Sequence, residues 1–437
     1  MRTLNRVLGY LLVAGIATAG AALWWATSTA ELEAIDPSTL SFSDDDIERG
    51  EQLAKIGDCS ACHTAPGGNE LAGGFGLPTP FGTIYSTNIT PDPDTGIGSW
   101  SYEAFARAMK EGVDREGNHL YPAFPYDSFA KTKDDDLQAI YAYLMSQPAV
   151  ASPNQTNELR FPFGFRPLLA GWKLLFLDTS PFEADGSLDE EQNHGAYLAT
   201  SLGHCGACHS PRNGFGAVIA TRMFEGGEAE GWLAPPLGSH SISPVTWEID
   251  DYADYLFDGW SEYHGIAGGP MTAVADHLYD ADEDDVFAMA AWLAAITPAQ
   301  SEEEREAAIA AAVVLDWPAV EGTLFEENIT DPLLLAGRDV FAAKCSKCHK
   351  ERISSKQPIS LGLSFAVRAE TPQNLLNVVR FGIAPPYGVS DRKMEAVALS
   401  DGELAALAAY VRWHFTDEQA WTDLESTVAA HVESAIH

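Results

Sequence analysis

Six cysteines and three histidines fall into three copies of one spacing: Cys59-Ser60-Ala61-Cys62-His63, Cys205-Gly206-Ala207-Cys208-His209 and Cys345-Ser346-Lys347-Cys348-His349. Two thiols about one helical turn apart can add to the two vinyl groups of one porphyrin. The histidine that follows then lies under the iron, so the pattern reads as a c-type haem attachment site. Two other chemistries use paired cysteines. A zinc site needs four ligands, usually from two separated pairs, and a thioredoxin-like redox pair needs only Cys-x-x-Cys. Neither accounts for a histidine after every pair. The three motifs also use all six cysteines, which leaves none for disulfides. The expectation is three covalent haems c, attached through Cys59, Cys62, Cys205, Cys208, Cys345 and Cys348, with His63, His209 and His349 as axial iron ligands.

An iron held by histidine on one face needs a ligand on the other or stays open. Each repeat has a helix ending in glycine after its motif, at Gly112, Gly259 and Gly382, and twelve residues beyond stand Phe124, Met271 and Met394. A lone methionine is ordinarily core filler. The shared spacing instead predicts Met271 and Met394 as soft thioether ligands, which raise a haem's potential. Phe124 cannot ligate. Three outcomes stand for repeat one: His119 swings in, Met109 reaches in from a position that aligns with Leu256 and Val379, or the iron stays five-coordinate. A ligated iron is the expectation.

The surrounding elements read as mainly α: three tandem small cytochrome c-like domains with loop-rich connections, after an N-terminal hydrophobic helix. The motif cysteines recur at intervals of 146 and 140 residues. The divisions are residues 1–30 (anchor or leader), 42–150 (domain 1), 151–187 (link), 188–300 (domain 2), 301–331 (linker), 332–416 (domain 3) and 417–437 (tail). Gly50, Gly195 and Gly337 sit on the helix before each motif, where a small residue lets another helix cross closely. Each repeat closes on a helix with an acidic or hydroxyl start, which suits the orphan amides and the dipole, and an aromatic expected at the crossing: Tyr143, Trp292 and Tyr410. The link carries Phe161-Pro162-Phe163-Gly164-Phe165 and Gly171-Trp172-Lys173-Leu174-Leu175-Phe176. It is too short and broken to span a bilayer, and its aromatics are expected to dock on a neighbouring domain or subunit. The tail reads as a polar amphipathic helix.

The chain carries 63 acidic and 26 basic residues in 437, a net charge of −37. That excludes nucleic acid, which needs a basic face, and argues against adsorption to an anionic membrane surface. At the N-terminus, Arg2 and Arg6 precede an uncharged run from Val7 to Ala30. Leu8 to Thr27 would span about 30 Å as a helix, enough to cross a bilayer. Trp24 and Trp25 suit the outer interface, and the basic flank puts the N-terminus in the cytoplasm. Ser28-Thr29-Ala30 could also be a signal-peptidase site. Both readings export the chain, and a retained anchor is favoured because the run is long for a leader.

Further stretches carry a family resemblance: Ile84-Tyr85-Ser86-Thr87-Asn88-Ile89-Thr90-Pro91-Asp92, His119-Leu120-Tyr121-Pro122-Ala123, Gly203-His204 with the second motif through Ser210-Pro211-Arg212-Asn213, and Arg160-Phe161-Pro162-Phe163. The chain resembles the three-haem cytochrome c subunits of bacterial membrane-associated dehydrogenases over most of its length. That resemblance implies a non-catalytic electron-transfer subunit on the periplasmic side of the cytoplasmic membrane. Its catalytic partner would use molybdopterin, pyrroloquinoline quinone or flavin, and its electrons would go to membrane ubiquinone. Phe124 departs from the family's Pro-Ala-Met-Pro-Tyr run. The stretch from Pro372 to Pro386 looks most like relatives beside molybdenum enzymes acting on aldehydes or N-heterocycles. Arg212 could pair with a haem propionate or make an ordinary surface ion pair. Two alternatives stay open: a haem enzyme reacting with a small oxidant at an open first iron, and a tethered shuttle to a terminal oxidase. No dinucleotide fingerprint, Walker loop or nucleophile elbow is found in the sequence.

Overall fold

A computed structural model describes residues 15, 18, 29–316, 329–349, 360–389 and 392–431. Apart from residues 15, 18, 29 and 30, the expected N-terminal apolar helix lies outside the described residues. No described helix is long and apolar enough to cross a membrane.

Repeat one begins with α1 (Asp44–Ile56) and the motif helix α2 (Cys59–His63), followed by the antiparallel hairpin of β1 (Gly76–Thr79) and β2 (Gly82–Tyr85). It continues with α3 (Tyr102–Glu111), α4 (Tyr126–Phe129) and α5 (Asp134–Ser146). The link adds β3 (Glu158–Leu159) to the free edge of β2, then α6 (Leu168–Phe176). Repeat two runs through α7 (Glu190–Thr200), α8 (Gly206–His209), the β4 (Gly227–Ala229) and β5 (Trp232–Ala234) hairpin, and α9 (Ile249–Asp258). It ends with a small hairpin of β6 (Trp260–Ser261) and β7 (Gly265–Ile266), α10 (Pro270–Tyr279) and α11 (Glu283–Ala295). A linker helix α12 (Glu302–Asp316) leads to repeat three: α13 (Pro332–Lys344), α14 (Phe365–Arg368), α15 (Gln373–Phe381), α16 (Asp401–Phe415) and the tail helix α17 (Leu424–Ala430).

The same helix crossing recurs three times. A Cβ on Gly50 would fall 1.9 Å from the carbonyl oxygen of Ala139, one on Gly195 1.8 Å from that of Ala288, and one on Gly337 2.0 Å from that of Ala406. Only glycine permits such backbone contact. The expected aromatics stand one turn beyond each contacted alanine, at Tyr143, Trp292 and Tyr410. Capping is less uniform. Ser400 and Glu403 form a reciprocal capping box on α16, and Asp282 accepts from the amides of Asp284 and Asp285 on α11. The N-cap of α5 is Lys133, which makes no side-chain cap, so Asp134–Asp136 serve the helix dipole and not the orphan amides.

By packing, the chain divides into two units. One holds Met1–Glu51, Cys62–Phe182 and Phe215–Ala217; the other holds Gln52–Ala61, Glu183–Gly214 and Val218–His437. In the second unit, repeats two and three are tied by specific contacts. Asn374 on α15 accepts from the Leu233 amide at 2.8 Å and donates to its carbonyl at 2.9 Å, as a neighbouring strand would. Gln373 and Asn377 both donate to the carbonyl of Gly231, at 2.6 and 2.9 Å. Linker helix α12 adds Arg305, whose Nη2 lies 2.8 Å from Asp251 Oδ2 with both groups buried. Ala312 of the same helix packs with Val245 and Leu363 in one small core. The tail has a use the sequence did not show: Trp421, Leu424 and Val428 close the core of repeat three over Leu407 and Phe415.

The link meets its expectation in part. Trp172 docks edge-on to Tyr126 with ring centroids 6.0 Å apart, and Leu169 and Ala170 are buried, all within the first unit. Phe161, Phe165, Leu174 and Leu175 stay exposed.

Candidate functional site

The three motif histidines are half-buried, and two have their ring orientation fixed by backbone. Nδ1 of His63 lies 2.6 Å from the carbonyl oxygen of Thr87, and Nδ1 of His209 lies 2.7 Å from that of Pro235. A carbonyl only accepts, so Nδ1 carries the proton and Nε2 presents a lone pair, the form a metal takes. Burial pushes the pKa of both rings down, against the opposing pull of those hydrogen bonds, and pushes His349 down to about 4. All three rings are therefore held neutral. Nδ1 of His349 is buried without a partner among the described residues.

The thiols point the same way. Burial raises Cys59 and Cys205 to about 12 and Cys345 to about 11. A dithiol redox pair works through a thiolate of depressed pKa, so these environments suit thiols that end as neutral thioethers. No group of three or more His, Cys, Asp or Glu side chains arranged to hold a metal ion is found among the described residues.

A continuous cavity of about 900 Å³ runs through the second unit. Cys205, Cys208, His209 and Met271 line it, and so do Cys345, Cys348, His349 and Met394. The fold thus brings both predicted methionines to the space their motifs face. They arrive by different routes. Met271 opens α10, five residues past the β6–β7 hairpin. Met394 lies in a bridge, its amide and carbonyl paired with Ile383 at 3.1 and 2.8 Å. The rest of the wall is largely apolar, from Trp232, Leu256, Leu293 and Val379 among others.

Repeat one differs. Phe124 packs on Phe129, with centroids 5.3 Å apart, and on Tyr126 at 6.4 Å. Met109 is buried on α3 among Ala104, Phe105 and Ala108. Nδ1 of His119 lies 3.0 Å from Lys173 Nζ, so His119 would have to release that ammonium before it could turn to a metal.

Residues 47–148 match the cytochrome c family, and residues 332–411 match the family of cytochrome C oxidase, cbb3-type, subunit III. The chain is 44% identical over 90% of its length to a nicotinate dehydrogenase subunit of Pseudomonas putida, and spans about a third of that protein (32%). It is 34% identical to the cytochrome c subunit of the quinone-type alcohol dehydrogenase of Gluconobacter oxydans, over 84% of this chain and 78% of the relative. The gluconate 2-dehydrogenase cytochrome c subunit of Pantoea cypripedii is 35% identical over 79% and 80%. The chain belongs to the family of dehydrogenase cytochrome c subunits. Covalently bound haem c is the cofactor of that family's domains, and the neutral histidines, protonated thiols and apolar cavity fit it.

Sequence reasoning missed the groups that brace this cytochrome's sites. The carbonyls of Thr87 and Pro235 have no side-chain signature. Asp58 and Ser60, on either side of Cys59, both hold His277 of α10: Asp58 through Nδ1, and Ser60 through Nε2 at 2.9 Å. The three resemble a Ser-His-Asp array. Ser60, however, lies between two motif cysteines, and the contact ties the first motif to the helix that carries Met271. Arg212, considered for a propionate, donates to the carbonyl of Ala207 at 2.8 Å and so braces the second motif. The side-chain clasp of Asn374 was missed although the sequence singles out its stretch, because an amide on a helix does not announce a distant strand.

Proposed function

We propose that the chain is an electron-transfer subunit carrying three covalent haems. It takes electrons from a dehydrogenase catalytic subunit on the periplasmic side of the cytoplasmic membrane and delivers them to ubiquinone. The observation that carries this reading is the single cavity lined by two complete sets of Cys, Cys, His and Met. When bound, each haem iron gains and loses one electron at a time.

The chain's own residues hold and tune. Cys59, Cys62, Cys205, Cys208, Cys345 and Cys348 would hold three haems, and His63, His209 and His349 would supply an imidazole to each iron. Met271 and Met394 would supply the second ligand in repeats two and three, and Met109 or His119 would do so in repeat one. The carbonyls of Thr87 and Pro235 hold the imidazoles in the ligating tautomer. The apolar wall excludes water, which keeps soft thioether ligation intact and raises the potential.

Among catalytic partners using molybdopterin, pyrroloquinoline quinone or flavin, the 44% identity to a nicotinate dehydrogenase subunit favours the molybdopterin class acting on N-heterocycles or aldehydes. The N-terminal apolar run is read as the retained anchor. Pyridine haemochrome counting on the mature protein should give three equivalents; appreciably fewer ends the reading. The holoprotein co-purified with its catalytic subunit should be reduced by the partner's substrate and reoxidised by a soluble ubiquinone analogue.

Phe124 favours one second reading, an iron in repeat one that is open to a small oxidant. It predicts a high-spin absorption band, CO binding at one haem in three and turnover of peroxide by the reduced protein. A fully low-spin spectrum excludes it.

A further inference from the structure

The link between repeats one and two exposes more large apolar surface than any fold interior requires. Phe161 is 96% exposed, Leu174 77%, Leu175 74% and Phe165 58%. These residues form one compact stretch. Successive turns bond Phe163 to Arg160, Phe165 to Pro162 and Leu168 to Phe165, and lead directly into α6. On α6 the inner side chains are spent on the first unit, with Leu169 and Ala170 buried and Trp172 docked, while Leu168, Leu174 and Leu175 face out. A contiguous exposed apolar face of this kind marks a docking surface.

Charge and connectivity say what covers it. Residues 159–177 contain Arg160, Arg166 and Lys173 and no acid, in a chain where 63 of 437 residues are acidic. Arg160 and Arg166 are exposed beside the aromatics, while Lys173 turns inward to the carbonyls of Glu111 and Gly112. The sequence's uncharged N-terminal run closes on Thr29 and Ala30, and these residues and Leu32 are pinned. Arg107 donates to the carbonyl of Ala30 at 2.7 Å, the Leu32 amide donates to the carbonyl of Arg115 at 2.9 Å, and Gly117 sits against the carbonyl of Thr29. The segment 112–119 that receives this chain is also the one that holds the exposed face, through Lys173 to Gly112 and Arg166 to Asp114 at 3.9 Å.

We propose that the face formed by Phe161, Phe165, Leu168, Leu174 and Leu175 lies in the interfacial layer of an anionic phospholipid bilayer, beside the point where the N-terminal run leaves it. Aromatic and leucine side chains enter the headgroup boundary and the arginines meet lipid phosphates, as interfacial segments do. The inference rests on the membrane reading above and adds a second contact to it.

The test uses the full-chain holoprotein in liposomes of phosphatidylethanolamine and phosphatidylglycerol. A photoreactive benzophenone amino acid is placed at Phe161 or Leu174, with Tyr279 of the other unit as the exposed control. Irradiation should yield lipid adducts at Phe161 and Leu174 and none at Tyr279. The double variant Leu168→Glu with Leu175→Glu should lose the Leu174 adduct at unchanged haem content. In native membranes, adducts to a polypeptide at these positions would assign the face to a protein partner and overturn the proposal, as would no adduct at all. Haem count and ubiquinone reduction are read on the same samples. Absent lipid adducts with both intact therefore sink this inference alone, whereas a haem deficit sinks the function.

Discussion

Repeats one and two reach the predicted ligand position by the same local path, and then diverge. In each, a glycine with positive φ ends a helix, at Gly112 (59°) and Gly259 (69°). In each, its carbonyl accepts an amide eight residues on, from Leu120 at 2.7 Å and Ala267 at 2.8 Å. The bridges match too, Val113 to His119 and Trp260 to Ile266. The slot then holds Phe124 in one and Met271 in the other. Repeat three offers methionine again, but through a wider turn closed by Ile383 and Met394. The scaffold and the ligand chemistry are thus separable: the turn sets where a side chain stands, and the residue there decides what it can do.

The two units invite the largest test. If repeats two and three behave as one body, Arg305→Met should cost about 1–3 kcal/mol, because it removes the guanidinium from a buried Asp251 carboxylate that keeps only its hydrogen bonds from Ser261 and the Glu248 amide and the nearby His264 ring. Chemical denaturation of the holoprotein measures this, and a change within error would break the picture. Burial pushes the Asp251 carboxyl up, but the His264 ring beside it, the Glu248 backbone amide and the Arg305 charge outweigh it and bring it down to about 2. A depressed carboxyl stabilises above its unfolded value of about 4 and loses that contribution as pH falls toward 2. The acid-side decline in melting temperature over that window should shrink in the variant.

Next comes the shared scaffold. Gly50→Ala and Gly337→Ala should each cost about 1–3 kcal/mol by forcing apart a helix pair in direct backbone contact. Thermal melts compare them, and tolerance at Gly50 alone would show that repeat one does not use the common crossing.

Smaller in energy, but aimed at the slot itself, are the ligand swaps. Met271→Ala or Met394→Ala should lower one haem's potential by on the order of 0.1 V, within the range of about 0.8 V that axial ligands span. Each should also remove one methionine–iron signature from the ferric spectrum, with folding retained. Phe124→Met should do the reverse in repeat one, adding one such signature and raising the lowest potential. Potentiometric titration with optical detection reads both, and an unchanged spectrum in Phe124→Met would show that the repeat-one slot does not face its haem.

Much of this protein is written locally. The motif spacing, the glycines at 50, 195 and 337 and the Ser400–Glu403 cap act over a turn or two, so side-chain types alone reveal them. The twelve-residue interval places Phe124 and Met271 alike because Gly112 and Gly259 end their helices into matching turns, whereas Met394 follows Gly382 through a different one. What needed the tertiary structure was every partner that is backbone or remote in sequence. The Thr87 and Pro235 carbonyls fix the imidazoles, and the Asn374 amide stands in for a strand. Arg305 is buried against Asp251, and one cavity joins two motifs 140 residues apart. A carbonyl is the same at every position and a side chain does not record its distant neighbours, so only the packed chain could select them.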